Sequence, residues 1–92
     1  MAWMRFVWDE AKRSVNLRKH GLDFADAKLV FAGITYTIED RRFDYREQRF
    51  ITLGMLRDLV VVMAHTESRG TVRVISMRKA TRNEQVIYFQ NV

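Results

Sequence analysis

Leu59-Val60-Val61-Val62-Met63-Ala64-His65-Thr66 is apolar at odd and even positions alike. A run apolar on both faces predicts the central strand of a sheet. The segments around it supply its neighbours. Arg49–Leu56 reads as a strand that reaches it through a tight connection at Arg57-Asp58, and Ser68-Arg69-Gly70 turns the chain into a further strand, Thr71–Arg78. Upstream, Ile34, Tyr36 and Ile38 alternate with Thr35, Thr37 and Glu39, the period-two pattern of a half-buried strand. Asp40–Gln48 is strongly charged and predicts an exposed loop.

The N-terminal third changes period. Trp3–Trp8 is aromatic and apolar enough for a short strand. Asp9 then predicts an N-cap and Ala11–Lys19 a helix, with Glu10 near its start. Arg18, Lys19 and His20 lie near its end, where cations suit the helix dipole, and Gly21 supplies a left-handed cap. Asp23 caps a second predicted helix, Phe24–Phe31, ended by Gly33. Thr81 with Glu84 three residues on has the spacing of a capping box, opening a last helix to about Gln90. The predicted class is α+β: strand–helix–helix, then a mainly antiparallel sheet and a C-terminal helix. With 92 residues and neither linker nor repeat, residues 1–92 form a single domain.

Composition narrows the function classes. A hydrophobic share of 48%, with six Phe, three Tyr and two Trp, argues against disorder. The absence of Cys removes disulfides and thiolate metal sites. Neither a signal-peptide pattern nor a long apolar run is present, so a soluble, cytoplasmic protein is expected. Sixteen bases against eleven acids give +5, and the charge is unevenly placed. Residues 1–40 hold six bases and six acids; residues 41–92 hold ten bases and five acids. Ser68–Asn83 carries Arg69, Arg73, Arg78, Lys79 and Arg82 without one acid. Twelve of the bases are Arg, which suits bidentate phosphate contacts. A nucleic acid or other polyanion and a merely solvated charged face both fit that pattern.

His20 and His65 are the only histidines, and neither has a second ligand at metal spacing, so no metal or other cofactor is expected. Arg, Lys, His and Glu suffice for cleaving RNA through its own 2′-hydroxyl, which needs a base, cations for the developing phosphate charge and an acid for the leaving oxygen. Strict alternation along Thr71–Arg78 predicts Val72, Val74, Ser76 and Arg78 on one face, and Arg73, Ile75 and Met77 on the other. Arg73 is either an outward-facing sheet residue or part of a phosphate-binding surface. His20 is a proton carrier or a helix cap, and Glu84 is fully explained by its capping role. His65 reads as structural, while Trp8 and Tyr88 either stack on bases or, as aromatic residues next to capped helices usually do, belong to the core.

Phe6-Val7-Trp8-Asp9, Lys12, Asn16, Lys19-His20-Gly21, Phe24 and Ala27 resemble the opening of the BrnT toxin family. Arg49–Gly54 is similar to that family's middle strand, and Arg73–Glu84 with Tyr88 to its closing signature, Met77 standing where alanine is common. The resemblance implies a RelE-like fold and a metal-independent endoribonuclease toxin of a type II toxin–antitoxin system that halts translation and growth. It also implies neutralisation by a BrnA-like antitoxin with a ribbon-helix-helix region, in a complex that binds operator DNA. For site residues it points to His20, Arg73, Arg78 and Glu84 in catalysis, with His20 or Glu84 handling the proton. Lys19, Arg49, Lys79 and Arg82 would bind substrate. A non-catalytic nucleic-acid-binding regulator and a pure interaction module remain as alternatives.

Overall fold

The computed structural model describes residues 4–92, so Trp3 of the expected first strand lies outside the described residues. A five-stranded sheet of order β1-β5-β4-β3-β2 forms the middle layer. Its strands are β1 (Arg5–Val7), β2 (Thr35–Glu39), β3 (Phe50–Leu56), β4 (Leu59–Ser68) and β5 (Thr71–Lys79). β2 to β5 form an antiparallel meander, and β1 joins the edge of β5 in parallel. The helices are α1 (Glu10–His20), α2 (Ala27–Ala32) and α3 (Arg82–Asn91). Phe24–Asp26, expected as the first turn of α2, is a 3₁₀ turn instead.

The local end signals act as their chemistry requires. The Asp9 side chain accepts from the Lys12 amide, and Gly21 ends α1 at φ 70°, a left-handed conformation favourable to glycine. Asp23 accepts from the Ala25 amide and, through both oxygens, from the Arg13 guanidinium at 2.7 and 3.0 Å. That pairing holds the Asp23 carboxyl down to about 2. The Thr81 hydroxyl and Glu84 carboxylate complete their reciprocal capping box. Arg69 and Gly70 both adopt positive φ, which suits a two-residue hairpin between β4 and β5.

As its sequence implies, β4 is central and covered on both sides. Val61 and Met63 pack with Phe24, Ala27, Val30, Val72, Val74 and Met77 in the core beneath α1 and α2. Val60 and Val62 pack with Leu53 and Tyr88 beneath α3. In the first core α2 comes so close to β3 that a Cβ on Gly54 would lie 2.6 Å from Cγ1 of Val30. On the opposite side α3 buries chiefly Tyr88, whose hydroxyl donates to the Ile34 carbonyl at 2.8 Å. Ile34 and Ile38 were expected on a buried face, but they are 69% and 49% exposed: Ile34 precedes the first paired residue of β2, and of the three alternating apolar residues only Tyr36 packs against the core beneath α3.

Two polar residues carry unusual structural duty. Asn16 is the one buried residue of α1; its side chain donates to the carbonyls of Met77 and Leu22 and accepts from the Met77 amide. β1 pairs with β5 only at Thr71–Arg73, so Asn16 satisfies backbone groups further along that edge. His65 is fully buried, bonded through Nε2 to the Thr52 hydroxyl at 2.6 Å and flanked by the rings of Phe31 and Phe50.

Asn16→Ala should cost about 2–4 kcal/mol in chemical denaturation, since it leaves two Met77 backbone groups and the Leu22 carbonyl unpaired. His65 supplies an acid-sensitivity test. Burial pushes its imidazole down to about 4, whereas in the unfolded chain it takes up a proton near 6.5. Its contribution is therefore full above pH 6.5 and is lost as the pH falls from there toward 4. Denaturation midpoints should drop between pH 7 and pH 5, and His65→Gln should show a smaller drop from a lower starting stability.

Candidate nucleic-acid interface

The basic strand β5 does not alternate regularly. His65 pairs with Val74 and Ala64 with Ser76, so Ile75 is an extra residue, a β-bulge. This overturns the face assignment expected from strict alternation. Val72, Val74 and Met77 all face the α1–α2 core, while Arg73, Ser76 and Arg78 share the opposite, α3 side. Arg73 lies opposite Thr66, Ser76 opposite Ala64 and Arg78 opposite Val62. The two arginines thus stand at the ends of a stretch of sheet that α3 does not cover.

Arg78 is held at one end of that face. It donates from both terminal nitrogens to both Glu84 oxygens, at 2.7 and 2.9 Å, and a Glu84 oxygen also accepts from the Thr81 amide at 2.8 Å. These bonds, the Arg78 contact foremost, hold the Glu84 carboxyl down to about 2 and raise the Arg78 pKa. The capping box that starts α3 is therefore also the clamp that aims Arg78. Arg73 is freer: its side chain is half exposed, with Glu47 at 3.6 Å.

The charged loop between β2 and β3 closes the other side. The backbone bond from the Asp40 amide to the Arg49 carbonyl, at 2.8 Å, continues the β2–β3 ladder. Alternation then places Arg49 on the Ile51 side, the side of α3. Its guanidinium lies 4.2 Å from the Tyr45 ring centroid, and its buried Nε has no hydrogen-bond partner. Arg42 comes near enough to Arg78 for their like charges to oppose each other, which slightly offsets the effect of Glu84 on Arg78. Arg42, Arg49, Arg73 and Arg78 therefore surround one uncovered face. Such a group of cations favours an anion with several oxygens, such as a phosphodiester.

Other candidates lie elsewhere. Lys19 and His20, at the end of α1, line a cleft with Lys12, Asn16, Ile75 and Ser76 along the free edge of β5. A second cleft on that edge, lined by Lys12, Trp8, Ile75 and Arg73, joins it to the arginine side. Lys79 and Arg82 are exposed where β5 hands over to α3. Tyr88 is core, and the Trp8 indole nitrogen donates to Glu10 at 2.9 Å. Arg42 was missed in the sequence because it sits in a segment that reads as a solvated loop. The interleaving of Phe43 and Tyr45 with Arg41, Arg42, Arg46 and Arg49 was the available signal.

Among the described residues, no helix is long and apolar enough to cross a membrane. No curated protein matches the chain. The family model for the ribonuclease toxin BrnT of type II toxin–antitoxin systems matches residues 8–84, from Trp8 through both halves of the Arg78–Glu84 clamp. A basic sheet face suited to phosphate, together with a family match over most of its length, places this chain in the BrnT family of ribonuclease toxins, proteins that act on RNA and are paired with an antitoxin.

Proposed function

We propose that this chain is an endoribonuclease that cuts RNA without a metal, holding the scissile phosphate between Arg73 and Arg78. The observation that carries the reading is the bulge at Ile75, which gathers both arginines on one uncovered face. The 2′-oxygen attacks the adjacent phosphorus, its proton leaves to a base, and the 5′-oxygen departs with a proton from an acid. The products are a 2′,3′-cyclic phosphate and a 5′-hydroxyl. Negative charge builds on the phosphoryl oxygens in the transition state, where fixed guanidinium groups are most effective. The carboxylate that stands on this face beside Arg78, Glu84, is already bonded by it through both oxygens, which favours arginine over metal-ion stabilisation.

Glu84, ionised and hydrogen-bonded through both oxygens, is better suited to aiming Arg78 than to moving a proton. His20, reached around the β5 edge, is the proton carrier in this reading. Arg49, Lys19, Lys79 and Arg82 hold the flanking backbone. The order of elements and the covered-and-open sheet support a RelE-like arrangement, and a BrnA-like ribbon-helix-helix antitoxin is the proposed partner, in an operator-binding hetero-oligomer.

Purified protein should cut RNA in the presence of EDTA and leave cyclic phosphate ends. Arg73→Ala with Arg78→Ala should lower kcat by at least about 100-fold, the scale for losing a transition-state donor. Intact RNA with the folded, unmutated protein overturns the reading. Salt-sensitive binding without cutting would favour a nucleic-acid-binding regulator instead. Glu84→Gln should lower kcat by about tenfold or more while KM changes less, because it loosens the aim of Arg78 without removing its charge.

A further inference from the structure

The loop that carries Arg42 and Arg49 also displays an aromatic ring to solvent. Phe43 is 66% exposed, although neighbouring groups are tightly held. Asp40 is the anchor beneath it. Only 8% exposed, it accepts from the Arg42 amide at 3.2 Å, from the Arg42 guanidinium twice at 2.9 Å and from the Tyr45 hydroxyl at 3.0 Å. The Arg42 and Tyr45 bonds outweigh burial and keep the Asp40 carboxyl well below the usual carboxylate range. The chain between these two anchored side chains is short, so the Phe43 backbone is fixed by its neighbours. The Tyr45 amide donates to the Phe43 carbonyl at 3.1 Å.

The ring itself packs into no core. One edge meets the Tyr45 ring at 5.8 Å in a T-shaped contact, and the Arg42 guanidinium stands 5.9 Å from its centroid. We propose that Phe43 is a stacking platform for one unpaired nucleobase of the RNA whose phosphate lies on the arginine face. The inference rests on the ribonuclease reading above and adds a base subsite to it. An exposed ring on a loop, residues 40–49, with four arginines and three acids combines what single-stranded nucleic acid requires: a flat apolar surface for the base and cations along the backbone. The loop reaches the cleavage face through the Glu47–Arg73 contact at 3.6 Å. A base stacked on Phe43 would belong to a nucleotide near the scissile phosphate, and it must be unpaired, because a duplex hides its base faces.

The test uses a labelled, 2′-O-methylated single-stranded RNA, which binds but cannot be cut, and copies of it carrying one abasic position at each site in turn. Phe43→Ala should weaken binding by about 5- to 150-fold, the range for losing one stacked base. Phe43→Trp should restore it. One abasic copy should bind the unmutated protein as weakly as the intact strand binds Phe43→Ala, and should not be weakened further by that substitution. Cutting of unmodified RNA by Phe43→Ala should show a raised KM with kcat little changed. Unaltered RNA binding by Phe43→Ala, or no loss at any abasic position, overturns the base subsite. Unaltered RNA binding with lost capture of the co-expressed antitoxin overturns it in favour of a protein contact. In both cases, cutting by the unmutated protein leaves the ribonuclease reading in place. If the folded, unmutated protein neither binds nor cuts RNA, both readings fall together.

Discussion

One asparagine side chain holds the N-terminal helix to the sheet. Asn16 forms a paired contact with the amide and carbonyl of Met77, as a neighbouring strand would, and also bonds the Leu22 carbonyl. Val15 and Leu17 on either side of it are exposed, so α1 gains little from apolar burial. The helix is held by polar pairing: Asn16 to the strand and Arg13 to Asp23. β5 beyond Arg73 has no strand partner on that side, and Asn16 both closes the ladder and blocks a foreign strand from adding there. The part of β5 so protected runs from the bulge into the Arg78–Glu84 clamp, which ties the geometry of the arginine face to a contact on the other side of the sheet.

That face is electrostatically unfinished. Four arginines lie around this sheet surface; Asp40 pairs with Arg42 through both oxygens, and the acids neutralise the other three only in part. Glu84 takes the charge of Arg78 in a bidentate pair, while Glu47 stands at a looser 3.6 Å from Arg73. A phosphodiester entering between them would complete hydrogen bonds that the protein leaves open, including that of the partnerless Nε of Arg49 if the stack on Tyr45 shifts.

Much of the fold could be read from the chain because its signals are local. Asp9, Gly21, Asp23 and the Thr81–Glu84 pair each act on backbone groups within a few residues, and all mark the ends that their chemistry requires. The double-faced apolar run of β4 likewise announces its place at the centre. What escaped depends on partners distant in sequence. Asn16 reads as an ordinary polar helix residue until Met77, sixty-one positions away, is beside it. Ile34 and Ile38 have the alternation of buried residues, yet nothing in their own segment says that only Tyr36 between them will meet the core beneath α3. The candidate site was half legible: its basic strand stood out by composition, whereas Arg42 and Phe43 gained meaning only when the loop folded over that strand.

The extra residue in β5 also changes how spacing along this strand must be counted. Arg73 and Arg78 are five positions apart, an odd interval, and in an unbroken strand odd intervals send side chains to opposite sides. Ile75 reverses the parity between them. Anything that lengthened or shortened this segment by one residue would preserve its composition, its charge and its β propensity, yet turn one arginine into the core and a valine into water. Length between these two positions is thus as tightly constrained as residue identity.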